Sequence, residues 1–174
     1  DEQHLAFIPL GDWMPALQKM IDLRNTLGLR SPIHSLTRIL NPLSARCGLQ
    51  SIFHPGYQAV HREASQLLGD HAIVIKGEGG EIEINPDASS HLYGTTNGEN
   101  WDEEWPALSA QRHVKPESLQ VEHMLSVWSG EVTDSYANLA IVSTMALALR
   151  GLGMSRSDAF SEAQKRWDAR VISK

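Results

Sequence analysis

The sequence predicts an α/β fold, and three observations carry that prediction. Two short apolar runs, "LQSIF" at 49–53 and "AIVIK" at 72–76, have the length and β-branched content of buried strands. Between them, "GYQAVHREASQLLG" at 56–69 has the period of an amphipathic helix. The last third is helical, with "DSYANLAIVSTMALALRG" apolar on nearly all sides and therefore buried. A β-α-β unit takes a right-handed crossover, so the two strands run parallel and end on one edge of the sheet.

Toward the N-terminus, Asp12 is a candidate helix cap, Pro15 fits a first turn and Gly28 can close the helix, which predicts a helix over 13–27. At about 100° per residue, Trp13, Leu17, Met20, Ile21 and Leu27 share one apolar face, with Arg24 near its centre. Arg24 is therefore expected to be at least partly buried, with a partner, and to point toward the carboxyl edge of the sheet. Past the second strand, Ile82 and Ile84 in "EIEINP" alternate as a further strand would. The stretch "SSHLYGTTNGENWDEEWPALSAQRHVKPES" has the Gly, Asn, Ser and Pro content of a long surface loop. Ser155 and Asp158 have the spacing of a capping box for a last helix, whose apolar face is Phe160, Ala163 and Trp167.

A length of 174 residues suits one domain, and a start at Asp1 reads as a fragment or a processed chain. The single cysteine, Cys47, excludes an internal disulfide and a cysteine-based zinc cluster. Packing is its expected role, and a cytoplasmic setting is expected for the chain. The most apolar stretch, 139–149, falls short of the ~20 residues that cross a bilayer, so no membrane partner is expected. Net charge is −6, and it is unevenly placed: Gly77–Asp134 holds twelve acidic residues against two basic ones. The eight histidines include no i,i+4 pair and no H-E-x-x-H, and there is no G-x-S-x-G, which disfavours a zinc enzyme and nucleophilic hydrolysis.

Two segments remain chemically informative. In "GEGGE" the glycines suit a phosphate cradle or a plain turn, but Glu78, Glu81 and Glu83 repel phosphate unless a divalent cation intervenes. Parallel strands put that loop at the carboxyl end of the second, where open α/β sheets bind ligands. In "LRNTLGLRSPIHSLTRILNPLSAR", Arg24, Arg30, Arg38 and Arg46 are either solvated or form a basic strip for phosphate.

The ordered set "LRNTLGLRSPIHSLTRILNP", "LQSIFHPGY", "AIVIKGEGGEIE" and "NLAIVSTMALALRG" resembles glycosyl transferase family 3. That family includes anthranilate phosphoribosyltransferase and pyrimidine nucleoside phosphorylase. The likeness covers nearly the whole chain and is similar in particular to the paralogues of the YbiB type, for which nucleic-acid binding has been proposed. It implies that 1–174 is the C-terminal portion of a nucleoside phosphorylase/phosphoribosyltransferase-type α/β domain, with a mixed sheet flanked by helices. The family's N-terminal helical domain and G-T-G-G-D pyrophosphate loop have no counterpart in the sequence, so half of the expected active site is carried here. The family also implies a homodimer for the full-length protein.

Residue by residue, Arg24 falls where the anthranilate enzymes place an arginine near the aromatic acid's carboxylate. Their "F-N-x-L-G-P-L-x-N-P" corresponds to "IHSLTRILNP", with His34, Thr37 and Arg38 in place of Asn, Gly and Pro, and with Asn41 and Pro42 retained. Arg24, His34, Thr37 and Arg38 are therefore the implied substrate contacts, altered away from anthranilate. Their "G-E-D-G-L-D-E" corresponds to "GEGGEIE": Glu83 matches the final acid, and Ile82 stands where its aspartate partner is expected. Magnesium is the implied cofactor, held weakly by Glu83 with Glu81 and Glu78. Arg30, Arg46, Lys76, Gly79 and Gly80 are the implied contacts to phosphate or nucleic acid. Two functions follow from the resemblance. One is pentosyl or phosphoribosyl transfer from a phosphoribosyl pyrophosphate-like substrate to an acceptor other than anthranilate. The other is non-catalytic binding of single-stranded nucleic acid.

Overall fold

The computed structural model describes residues 6–77, 81–110, 112–114 and 121–170. Its contacts divide the chain into two compact units, Asp1–Leu40 and Asn41–Lys174.

The first unit is helical, in short pieces: α1 Leu10–Trp13, α2 Pro15–Asp22, α3 Arg24–Leu27 and α4 Ile33–Leu36. The single helix expected over 13–27 is broken at Met14, whose φ of −134° and ψ of 71° are not helical. Proline is the reason: its ring excludes the α region from the residue before it, so Pro15 starts a helix and cannot sit inside one. Asp12 accordingly lies inside α1 and caps nothing. Gly28 closes α3 as expected, left-handed at φ 70° with its N–H on the Arg24 carbonyl at 2.9 Å. No described residue of this unit is buried, and Trp13, Met20 and Leu27 are exposed. Arg24, expected on a buried face, is exposed as well, because that face has no core of its own to enter.

The second unit is a four-stranded mixed sheet with a helical layer on each face, which is the expected α/β class. Strands β1 Gly48–Ile52, β2 Ala72–Lys76, β3 Ser90–Thr96 and β4 Glu99–Trp105 lie in the order β1-β2-β3-β4. Strand β1 is parallel to β2, and the other two pairings are antiparallel. The crossover helix α5, Gln58–Leu68, covers one face, where Gln50 of β1 donates to Ser65 at 2.8 Å and meets His61 Nδ1 at 3.1 Å. These polar groups are buried, and each satisfies another. Strand alternation turns Leu49, Ile73 and Ile75 to the opposite face, into one core with α7 Ser135–Gly151 and α8 Arg156–Asp168. Helix α6, Val121–Ser129, precedes α7 and adds Val127 to that core.

Within the stretch expected as a surface loop, 106–110 and 112–114 form neither helix nor strand, 111 and 115–118 lie outside the described residues, and 90–105 is instead the β3–β4 hairpin. Its turn is Asn97-Gly98, both at positive φ, 52° and 80°, as a two-residue hairpin of the primed type requires. Trp101 and Trp105 alternate inward, and Gly94 faces Trp101 so closely that a Cβ there would sit 2.0 Å from the ring. Glu103 lies between the two tryptophans and pairs with Arg150 of α7 at 2.8 Å, while the same guanidinium covers Trp101 at 4.3 Å. Cys47 packs against the core as expected, and burial raises its thiol pKa. Ser155 caps α8, its Oγ accepting from the Asp158 N–H at 3.2 Å. Among the described residues no helix is long and apolar enough to cross a membrane.

Asp134 caps α7, accepting the Ala137 N–H at 3.0 Å and meeting His123 Nε2 at 2.9 Å. The backbone N–H, followed by His123, lowers the carboxyl pKa. A lowered folded pKa stabilises the fold above the unfolded value of an aspartate and loses that contribution as pH falls through the folded value. Asp134→Ala is therefore expected to cost about 1 kcal/mol at pH 7 in urea unfolding, with a smaller deficit near pH 3.

Candidate functional site

The site is built where the two parallel strands end. Ile52 and Lys76 are partners across β1 and β2, and beyond them the Gly77 N–H donates to the Ile52 carbonyl at 3.2 Å. The Ser51 hydroxyl donates to the Glu81 carbonyl at 2.6 Å, and the Ile84 N–H donates to Thr144 Oγ1 of α7 at 3.0 Å. Both ends of the 77–84 segment are thus tied, to β1 on one side and to α7 on the other. Gly77 is needed here for space: a Cβ would lie 1.8 Å from Ser51 Oγ and 1.9 Å from the Glu81 carbonyl oxygen. The alternation of Ile82 and Ile84, expected to be a strand, forms none. Its backbone is bonded by Ser51 and Thr144 side chains in place of a neighbouring strand, and both isoleucines pack on the core.

Between this segment and α7 lies a cleft of about 440 Å³, with Glu81, Ile82 and Glu83 on one side and Ala140, Ile141, Thr144 and Met145 on the other. Glu81 and Glu83 are exposed, and Ile82 between them is half-buried. Among the described residues no three His, Cys, Asp or Glu side chains gather to hold a metal ion. Were magnesium to bind here, the Glu81 and Glu83 carboxylates are the hard oxygen donors lining the cleft that would hold it. Glu78, Gly79 and Gly80 lie outside the described residues.

The remaining expected site residues divide between the units. In the first, Arg24 and Arg30 are exposed, while His34, Thr37 and Arg38 are half-buried around α4. His34 Nδ1 lies 3.2 Å from the Ser31 N–H, and the Thr37 hydroxyl donates to the His34 carbonyl at 3.2 Å. In the second, Arg46 and Lys76 are exposed. Asn41, retained from the family pattern, accepts the Ala45 N–H at 2.7 Å and so builds the turn that leads into β1. Sequence reasoning passed over Ser51 and Thr144. Ser51 follows Gln50 in β1 and Thr144 follows Ser143 in the mostly apolar α7, and a hydroxyl in such a setting needs a hydrogen-bond partner once buried.

No family model matches the chain. An anthranilate phosphoribosyltransferase of Paracidovorax citrulli is 27% identical over 164 residues, which is 89% of this chain and 48% of that one. The uncharacterized protein YbiB of Escherichia coli is 30% identical over 88 residues, 49% of this chain and 28% of its own length. Among solved structures, anthranilate phosphoribosyltransferase from Saccharomyces cerevisiae, in complex with 4-fluoroanthranilate, superimposes with a TM-score of 0.70 at 13% identity. That superposition covers 89% of this chain and 48% of the yeast one. The chain is therefore similar to anthranilate phosphoribosyltransferases and, over a shorter stretch, to YbiB; it spans about half the length of the Paracidovorax citrulli and yeast proteins and has the fold of that half.

Proposed function

We propose that the chain is part of a glycosyl transferase that moves a pentosyl or phosphoribosyl group to an acceptor other than anthranilate. The supporting observation is the tied 77–84 segment, which brings Glu81 and Glu83 to a cleft at the carboxyl end of β2. Magnesium held there, when bound, would neutralise charge on a diphosphate leaving group. Lys76, exposed at the strand end, would add a positive charge beside the diphosphate, with Arg30, Arg46, Gly79 and Gly80 as further phosphate contacts. Arg24, His34, Thr37 and Arg38 are the proposed substrate contacts; the change from Asn, Gly and Pro at the last three is why anthranilate is excluded. The exposure of Arg24, Arg30 and Arg46 favours a second reading, in which a non-catalytic protein binds single-stranded nucleic acid through phosphates. The net charge of −6 weighs against it.

Thermal unfolding of the full-length protein with phosphoribosyl pyrophosphate and magnesium separates the two. A ligand at a hundred times its Kd stabilises the native state by about 2.7 kcal/mol, so a rise of several degrees in Tm is expected. No rise, together with oligonucleotide affinity that falls with salt at a log-log slope of about −0.7 per phosphate, would establish the nucleic-acid reading instead.

Gly77→Ala tests the role of the tied segment. The added methyl displaces Ser51 or the Glu81 carbonyl, so a stability loss of about 1–3 kcal/mol by urea unfolding is expected, along with loss of the ligand-induced rise in Tm. A variant that keeps both would show that the segment does not hold the donor.

A further inference from the structure

We infer that Asn97-Gly98, the tip of the β3–β4 hairpin, is a site of spontaneous covalent modification in the folded protein. The Gly98 backbone nitrogen, having lost its proton to solvent, bonds to Asn97 Cγ, and the Cγ–Nδ2 bond breaks so that Nδ2 leaves as ammonia. Water then opens the five-membered imide to aspartate or isoaspartate. The balance is asparagine plus water giving either acid plus ammonia, with nothing oxidised or reduced. Of the asparagines, only Asn97 precedes a glycine, whose bare Cα leaves the attacking nitrogen unhindered. Asn41 and Asn85 precede prolines, which have no amide proton to lose.

The turn geometry permits the attack without unfolding. An imide ring at position 97 holds ψ at about −120°, which together with a positive φ is the first central residue of a type II′ turn. Asn97 already has a φ of 52°. Types I′ and II′ differ by a flip of the central peptide, and both join antiparallel strands. The tip is tied by the Asn97 N–H donating to His71 Nε2 at 3.2 Å and by Gln66 Nε2 donating to the Gly98 carbonyl at 2.6 Å. Both ties use groups outside the flipping peptide, whose own Asn97 carbonyl and Gly98 N–H have no partner among the described residues. Both residues are exposed, and a Cβ at Gly98 would meet nothing within 4 Å, so the flip has room and water reaches the imide. Isoaspartate then adds a methylene to the main chain between Thr96 and Glu99, which are paired in register. The lengthened turn strains the ties to His71 and to Gln66 of α5, which makes the modification a slow, one-way loosening of the hairpin from the crossover helix.

The test is incubation of the full-length protein in mildly alkaline buffer, native and in guanidinium chloride, followed by peptide mapping with mass spectrometry. The Asn97 peptide is expected to gain about 1 Da, with isoaspartate present among the products. Its native rate should lie within about a hundredfold of the unfolded one, whereas reaction through global unfolding alone would be slowed by a factor of about 10³ or more. Peptides carrying Asn25, Asn100 and Asn138, each followed by a residue with a side chain, should convert at least about tenfold more slowly. Asn97→Gln, which would need a six-membered ring, is expected to remove the modification. A native rate suppressed more than about a hundredfold, conversion of the other asparagines as fast as that of Asn97, or aspartate as the sole product would each overturn the inference. None of these results depends on phosphoribosyl pyrophosphate, so failure here leaves the transferase reading to its own test.

Discussion

The second unit depends on the burial of α7. No residue from 136 to 151 is exposed, and the helix can be covered on several sides only if the sheet and α8 close over it together. Ala146 and Leu147 are wholly buried, as are Ala159 and Ala163 of α8, and these small side chains let the two helices approach closely. Hydrophobic burial of this kind has no direction of its own, so polar contacts at the margins set the geometry. Arg150 ties the hairpin through Glu103, the Trp167 indole N–H reaches Asn138 at 3.2 Å, and Thr144 receives the 77–84 segment. The candidate site is therefore one edge of the core, held by a hydroxyl on the core's central helix.

That arrangement explains how Gly77 and the 81–84 residues are held without a helix N-terminus behind them. Phosphate loops of other α/β folds place their backbone with the first turn of a following helix. Among the described residues no helix lies between β2 and β3. Ser51 from β1 holds the Glu81 carbonyl, Thr144 from α7 holds the Ile84 N–H, and Gly77 leaves the room that the Ser51 bond occupies.

Much of this fold was legible because its periodicity was strong. The parallel β1-α5-β2 unit, the buried α7 and the capped α8 all follow from apolar spacing and from local capping chemistry at Ser155. The hairpin was hidden by composition: Glu99, Asp102, Glu103 and Glu104 make β4 look solvated, although Trp101 and Trp105 alternate and Asn97-Gly98 marks the turn. Only Arg150, far away in sequence, neutralises the inward Glu103, and no local pattern foretells such a pair. The first unit failed differently. A helical wheel assumes an unbroken helix, and Pro15 breaks it, so the apolar face drawn around Arg24 never forms as one face. At the site, the acidic residues and glycines were visible, whereas the hydroxyls that tie Glu81 and Ile84 were not, because a serine or threonine hydroxyl can bond many local backbone groups and its sequence neighbours do not say which.

Ile82 shows why the altered acidic pair cannot be read as a simple loss. The family pattern places an aspartate at this position, beside the acid that Glu83 matches. In this fold Ile82 is half-buried and packs against the core, on the same segment whose neighbours Glu81 and Glu83 are exposed. An aspartate turned the same way would carry a charge to the edge of an apolar cluster, at a cost of order several kcal/mol unless the segment rotated or the group stayed protonated. Rotation is what the Ser51 and Thr144 bonds oppose. The replacement thus exchanges a possible metal ligand for an anchor, and the anchor supports the orientation that exposes the two glutamates. A carboxylate restored at position 82 would have to break that support before it could reach a metal.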